Sequence, residues 1–304
     1  MVNKNHNARP LVFGEVLFDN FPDGSSVLGG APFNVAWHLQ GFGCHPLLIS
    51  SVGKDALGER VLSTMNRWGM DVSAVQVDEK HPTGSVQIDL IEGQPSFSIL
   101  SDQAYDYIAP DMVNYILNSV QPALLYHGSL AVRNKFSRDA LASLQEKINA
   151  PVFVDINLRP PWWDKPLLEQ LLKKASWAKL NEDELLEMNG CKPSEGVDYI
   201  QMAEKFRQQK KLEMLILTLG AEGASLLSKD GVVRGQPVVV DNVVDTVGAG
   251  DAFSSVILLG LLLDWPMKKV LPYALEFASS VCANRGAVIN DRDVYQSFFS
   301  RWSS

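Results

Sequence analysis

Cysteine is scarce: Cys44, Cys191 and Cys282 are scattered through 304 residues without paired spacing. That excludes a disulfide framework or a cysteine-built zinc site, and three ordinary thiols fit a reducing cytoplasm. The five histidines form no metal-ligand cluster either. Positive charge is in deficit, with 27 Lys and Arg against 35 Asp and Glu, for a net charge of −8. A pI near 5.2 argues against nucleic acid or an anionic membrane as partner. Long apolar runs are missing too. The longest, Val256 to Leu263, falls far short of the ~20 residues a bilayer span needs and reads as a buried helix. Residues 1 to 9 are polar and read as a frayed end without the apolar centre of a signal peptide. No Pro/Ser-rich linker, charge run or internal repeat marks a boundary. Residues 1–304 therefore read as a single domain.

What is present is alternation. Leu11 to Phe18, Pro46 to Val52, Ala123 to Tyr126, Val152 to Ile156, Trp177 to Leu180 and Met214 to Leu219 read as strands. Asp55 to Trp68, Ser137 to Ile148, Lys165 to Ala175 and Tyr199 to Gln208 read as helices between them. This order implies an α/β fold with a mostly parallel sheet, whose ligands bind beyond the carboxyl ends of the strands. One region breaks the pattern. Ser85 to Leu90 and Ser96 to Leu100 flank a turn at Glu92-Gly93-Gln94-Pro95 and read as a hairpin with one polar face.

The segment Asp245-Thr246-Val247-Gly248-Ala249-Gly250-Asp251-Ala252-Phe253 lies between the strand-like Val238-Val239-Val240 and the apolar helix from Ser254 to Leu263. Its glycines allow backbone N–H groups to converge where a helix begins, which makes an anion site. A carboxylate beside such a site, Asp251, suits a base that takes a proton from an incoming hydroxyl. A helix-dipole partner is the plainer reading. A dinucleotide fingerprint fails because Phe253 fills its last, small position, and a P-loop fails because Gly53-Lys54 is followed by Asp55. Near the other end, Gly29-Gly30-Ala31-Pro32-Phe33-Asn34-Val35-Ala36 runs into a helical pattern. Paired glycines admit a ligand close to the backbone, and Asn34 offers both donor and acceptor to a sugar hydroxyl. A plain loop-to-helix junction is the alternative.

Together the two motifs resemble the ribokinase-like (PfkB) sugar kinases, and the Gly-Gly-Ala-Pro form is most similar to their fructokinase branch. The resemblance runs from Gly14 to Gly286-Ala287 and implies a central sheet flanked by helices, with a small β lid formed by about residues 16–30 and 83–101. It implies ATP and Mg²⁺ as cofactors, with Asp251 as base and the amides of Gly248, Ala249 and Gly250 around the transferring phosphoryl group. Asp19, Gly29, Gly30 and Asn34 fall where the family holds its sugar. Asp19 read alone is equally a turn acid, and Glu15 is equally a residue that stabilises a strand end. Arg159, in Asp155-Ile156-Asn157-Leu158-Arg159, matches a phosphate-side cation or else a surface ion-pair partner. Asn181 and Glu184 match the family's Asn-x-x-Glu element around magnesium, and also form a helix cap with its capping-box partner.

The ATP-side loop maps to Thr218-Leu219-Gly220-Ala221-Glu222-Gly223. Ala278, Cys282 and Asn284 fall on the late helix that borders the adenine. Asp245, with the backbone near Val281, Asn284 and Gly286, matches the region where several members bind K⁺. One departure is Val256, where the family usually has Gly or Ala. No Lys or Arg occurs between Asp19 and Asn34 or between Thr83 and Ile108, which favours a neutral acceptor, fructose first, over an anionic one. Arg133 and Arg159 are the cations able to reach an anionic group from the main body. A 2-keto-3-deoxygluconate or nucleoside kinase is the runner-up, and a sugar-binding regulator without catalysis a third reading. The hairpin also suits a homodimer contact.

Overall fold

The computed structural model describes residues 8–91, 94–193, 196–238 and 243–303. In chain order its strands begin β1 (Ala8–Phe13), β2 (Leu17–Asn20), β3 (Ser26–Gly29), β4 (Leu47–Gly53), β5 (Val75–Asp78), β6 (Gly84–Ile91) and β7 (Gln94–Ile99). They continue with β8 (Gln121–His127), β9 (Val152–Asp155), β10 (Trp177–Asn181), β11 (Met214–Thr218), β12 (Ala224–Ser228) and β13 (Gly231–Gly235). The large sheet has the order β13-β12-β11-β10-β9-β8-β1-β4-β5, and a separate four-stranded sheet the order β3-β2-β6-β7. Every pair from β11 through β5 is parallel. Within this large sheet, β12 and β13 run antiparallel to their neighbours. The mostly parallel α/β architecture read from the alternation is therefore present, with an antiparallel edge the pattern did not show.

Buried runs explain the sheet. All seven residues of β4 and all four of β9 are buried, as strands covered on both faces must be. Alternate side chains then feed two cores. Val12, Leu48, Tyr126, Phe153 and Ile216 face one, with the helices Ala31–Gly41, Ala249–Leu262 and Met267–Cys282. Leu11, Ile49, Leu125, Val154 and Leu215 face the other, under the helices Lys135–Lys147, Lys165–Leu172 and Tyr199–Lys210. Helix Ala249–Leu262 is buried continuously from Ala252 to Gly260. Val256 is fully buried in that core, so the unusual bulk is accommodated. A Cβ at Gly260 would stand 2.4 Å from Val270, which shows how closely the two late helices approach.

Two readings need correction. The run Leu11 to Phe18 is not one strand: β1 ends at Phe13 and β2 resumes at Leu17 in the other sheet. Gly14 and Glu15 mark the break, but burial continues through them, so the apolar residues on either side read as one strand. Val238 lies in no strand, and Val239 and Val240 fall outside the described residues. The hairpin is present as β6 and β7, with Glu92 and Gly93 of its turn outside the described residues. No helix among the described residues is long and apolar enough to cross a membrane.

Candidate active site

A cavity of about 760 Å³ opens beyond the carboxyl ends of β1, β9, β10 and β11 and beneath the four-stranded sheet. Asp155, Asn181 and Thr218 end their strands at its wall, and Leu17, Val86 and Ile99 of the small sheet form its apolar side. This is where a parallel sheet presents ligands to loops.

The turn before helix Ala249–Leu262 forms one wall. Gly248 adopts φ 79 as the residue preceding the helix, and a Cβ there would lie 2.4 Å from the Ala287 Cβ. Only glycine fits both the left-handed backbone and the contact. Helix geometry leaves the first-turn N–H groups without intrahelical acceptors. Ala249 N donates to Thr246 O at 3.3 Å, and Ala252 N to Gly248 O at 2.8 Å. Between them, Gly250 and Asp251 present their N–H groups at the positive end of the helix dipole, a natural anion seat. Asp245 stays outside the cavity lining and ties the turn down. Its Oδ1 accepts from Val247 N at 3.0 Å and its Oδ2 from Gly286 N at 3.1 Å.

Asp251 is inside the cavity wall, with Oδ2 accepting from Asn34 Nδ2 at 2.8 Å. Burial pushes its carboxyl up to about 6; the Asn34 hydrogen bond, Lys179 and Arg159 oppose this, and Asp155 adds to it. A carboxyl poised near neutral pH in a cleft has the profile of a general base. Asn34 reaches it from the first turn of helix Ala31–Gly41, whose start carries Pro32, as its sequence suggested. Asn34 Oδ1 is buried without a partner. Gly30 has φ 107, and a Cβ there would stand 2.8 Å from Glu15 O. A Cβ at Gly29 would lie 3.7 Å from Asp19 Oδ2 and 3.9 Å from Asn34 Oδ1. Gly29 thus marks the point where these two polar groups converge.

Asp251, Asp19 and Glu15 share one end of the cavity. Burial raises the Asp19 carboxyl, with Arg159 opposing. Burial likewise raises Glu15 to about 7, against its own backbone hydrogen bond and Arg159. Glu15 Oε2 is buried with no hydrogen-bond partner. Arg159 is exposed and lines the cavity, with Nη1 donating to Leu158 O at 3.1 Å. Among the described residues it makes no ion pair, so the surface-pair reading does not hold. Arg133 is different. Its guanidinium is committed to Asp106 at 2.8 and 2.7 Å, over the Trp162 ring, and it does not line the cavity.

On the far side, Asn181 and Glu184 form a reciprocal capping box. Glu184 Oε2 accepts from Asn181 N at 2.9 Å and Oε1 from Leu158 N at 2.8 Å. Both oxygens are therefore already engaged, and no group of three His, Cys, Asp or Glu among the described residues suits a metal ion. Thr218, Gly220 and Gly223 line the cavity, as do Ala278 and Cys282. Asn284 does not. Helix Met267–Cys282 ends two residues earlier, and Asn284 Nδ2 turns back onto Ser280 O at 2.8 Å. Its expected place beside the base is corrected accordingly.

Pattern reading also missed residues. Asn157 lines the cavity in a left-handed conformation, φ 44. Lys179 lines it as well and is only 8% exposed, with Nζ donating to both Asp155 oxygens at 2.7 and 2.8 Å. The available signals were an acid closing a fully buried strand and a lysine between Ala178 and Leu180 in another.

Comparison with known proteins identifies the family and the fold. An uncharacterized sugar kinase of Pyrococcus horikoshii is 30% identical over 254 residues, covering 81% of this chain and 75% of the relative. Its crystal structure with ATP superposes with a TM-score of 0.77 at 28% identity, covering 91% of this chain and 93% of that one. The fructokinase of Salmonella typhimurium is 29% identical over 272 residues, 84% of this chain and 85% of the relative. A Vibrio cholerae fructokinase double mutant, bound to fructose, ADP and a potassium ion, shares the fold. Its TM-score is 0.80 at 22% identity, over 97% of this chain and 99% of that one. The family model for the pfkB family carbohydrate kinases matches residues 13–293. That match spans nearly the whole chain, which therefore belongs to the pfkB family and is a sugar phosphotransferase.

Proposed function

We propose that the protein transfers the γ-phosphoryl group of ATP to a hydroxyl of a neutral sugar, with fructose the first choice. The observation that carries this is Asp251: a buried carboxyl near pH 6, held by Asn34 and adjoining the amides of a helix N-terminus. Asp251 takes the acceptor proton while that oxygen attacks the γ-phosphorus. The bond to the bridging oxygen breaks, and ADP leaves with its electron pair. The amides of Gly250 and Asp251 stabilise charge on the equatorial oxygens, while Gly248 and Ala249, whose N–H is taken by Thr246 O, shape the turn. Arg159 adds a cation that pairs with no carboxylate among the described residues. Asp19, Gly29, Gly30 and Asn34 surround the sugar. The small sheet acts as a lid over it, with Leu17, Val86 and Ile99 excluding water that would otherwise hydrolyse the nucleotide.

Thr218, Gly220 and Gly223 flank the nucleotide, with Ala278 and Cys282 opposite. Mg²⁺, when bound, neutralises phosphate oxygens and keeps part of its water shell. The donor set fits that role only indirectly: Glu184, whose oxygens each already accept a backbone N–H, and Asn181 would act through water on the ion rather than as direct ligands. The Asp245 loop, tied to Gly286, is the proposed seat for K⁺. A Vibrio cholerae fructokinase that shares the fold is potassium-bound, which supports testing K⁺ as a cofactor. The chain is read as a single domain acting in the cytoplasm. A homodimer through the small sheet is the assembly to test by mass in solution.

Neutral sugar is favoured because Arg133 is neutralised by Asp106 and the acceptor end holds Glu15, Asp19 and Asp251. The second reading, a 2-keto-3-deoxygluconate kinase, rests on Arg159, which lines the cavity and makes no ion pair among the described residues. The test is kcat/KM for fructose beside 2-keto-3-deoxygluconate, ribose and adenosine, followed by ADP release. A clear preference for the acid sugar replaces the first reading with the second.

A further inference from the structure

One buried carboxylate outside the residues assigned above gathers four donor contacts. Asp155, at the end of β9, is 1% exposed. Its Oδ1 accepts from Lys179 Nζ at 2.7 Å. Its Oδ2 accepts from Lys179 Nζ at 2.8 Å, Ser254 Oγ at 2.9 Å and Tyr126 OH at 3.1 Å. A carboxylate has about four lone-pair sites, so this one is saturated. The donors come from β8, β10 and helix Ala249–Leu262, three elements separated in sequence.

Two of these contacts point toward the chemistry. Ser254 is three residues after Asp251, so both lie in the opening turns of the same helix. The Ser254 hydroxyl has a single proton and two acceptors at 2.9 Å, Asp155 Oδ2 and Gly250 O. The ionised carboxylate is the stronger acceptor, so the proton goes to Asp155 and the helix is pinned to the sheet at that point. Lys179 Nζ, in turn, lies 3.8 Å from where a Cβ on Gly250 would stand. A cation is therefore fixed against the middle residue of the anion turn. Burial works against its charge, yet the Asp155 and Glu184 carboxylates hold the ammonium above its usual range.

We propose that Asp155 is a positioning residue for phosphoryl transfer. Through Ser254 it locks the helix that aims Asp251, and through Lys179 it fixes a cation beside the turn that receives phosphate. The inference rests on the kinase reading for the role of that turn. Asp155 itself is buried at the cavity wall with its acceptor sites already taken. Tyr126, its third donor, approaches from β8; its ring packs in the core that the helix shares, and its hydroxyl donates to Asp155.

The test separates these contacts. Ser254→Ala and Tyr126→Phe each remove one hydroxyl donor from the same oxygen. Small misplacements of reacting groups are costly, so Ser254→Ala lowers kcat about tenfold while both KM values stay within about twofold. Tyr126→Phe leaves kcat within about twofold of wild type, because the ring keeps its packing and the lost hydroxyl bonds Asp155 rather than the helix carrying Asp251. Equal losses in both variants, or no loss in Ser254→Ala, overturn the proposal. A parallel arm needs no turnover. ADP affinity, measured by calorimetry, falls about tenfold in Lys179→Met and is recovered to within about threefold in Lys179→Arg, since both basic side chains supply a donor and a charge. Unchanged affinity in Lys179→Met overturns the proposal, and thermal midpoints recorded alongside show whether each variant is folded. Wild type that binds ADP but phosphorylates no sugar retires the kinase reading, and the calorimetric ratio then decides on Asp155 alone.

Discussion

The two ends of the cavity are built differently. At the phosphate end, every polar side chain that matters is already bonded: Asp155 to four donor contacts, Glu184 to two backbone amides, Asp245 to two more. At the acceptor end, Glu15 Oε2 and Asn34 Oδ1 are buried without partners, and Glu15, Asp19 and Asp251 all have carboxyls raised by burial. An unsatisfied buried polar group costs about 1–3 kcal/mol. The phosphate end is thus preorganised for a charge that every turnover presents. In the proposed function, the acceptor end holds strain that the hydroxyls of a bound sugar would relieve, a basis for selecting among sugars.

The comparison breaks most visibly at Asp251, which belongs to both ends. Asp251→Asn keeps the shape and the contact with Asn34 but removes the base. Loss of a general base lowers kcat about 10²–10⁴-fold. ADP affinity stays within a few-fold, because the amides of the turn are untouched. A variant retaining more than about a tenth of wild-type kcat shows that Asp251 is not the base.

Substitutions confined to the acceptor end act on sugar choice. Asn34→Ala removes a donor and an acceptor facing the site, and Asp19→Asn removes a charged acceptor. Each lost hydrogen bond to a charged group is worth about 1.5–3 kcal/mol, or roughly 10–10²-fold in kcat/KM for the preferred sugar. KM for ATP remains close to wild type in both. If ATP and sugar constants move together, the two ends are coupled and the contrast drawn above fails.

How much of this was legible beforehand follows the same division. Motifs whose parts are close in sequence were readable: the turn from Asp245 to Asp251, the glycines before Asn34, and the capping box of Asn181 and Glu184. So were the buried parallel strands, since their apolar runs have few other uses. Contacts between distant segments were not. Lys179 meets Asp155 across 24 residues, and Ser254 meets it across 99. No local pattern distinguishes a lysine folded onto a buried acid from one reaching solvent. Asn284 failed for a related reason, because small residues do not announce where a helix stops. The change of sheet after Phe13 was invisible because burial continues through it.

The pH dependence sharpens the comparison with a smaller effect. Asp251 must be ionised to accept a proton, so kcat/KM falls on the acid side with a midpoint near its value of about 6. The groups facing it are Asn34 from the helix Ala31–Gly41, Glu15 after β1, Asp155 on β9, Arg159 beyond β9 and Lys179 on β10. Arg159 lowers the Asp251 value, so Arg159→Met moves the acid limb to higher pH, while Arg159→Lys leaves it near its original place. An acid limb that stays fixed in Arg159→Met removes Arg159 from the electrostatics of the base.

The smallest effect concerns Glu15, the clearest case of a group left waiting. Its ordinary value is 4.5 and its folded value about 7. Between these the folded state binds more protons than the unfolded chain, so stability declines as pH rises through that window and stays reduced above it. Glu15→Gln removes the charge while keeping the shape. It therefore raises the thermal midpoint at pH 8, by an amount on the order of 2 kcal/mol in stability, and changes it little at pH 4. If Glu15 serves the acceptor, the same variant lowers kcat/KM for the preferred sugar severalfold, a trade of function for stability common at binding sites. Thermal melts at the two pH values and sugar kinetics on one preparation check both halves. A variant no more stable at pH 8 than wild type shows that the orphaned oxygen is satisfied without a ligand, and the contrast between the two ends then loses its acceptor side.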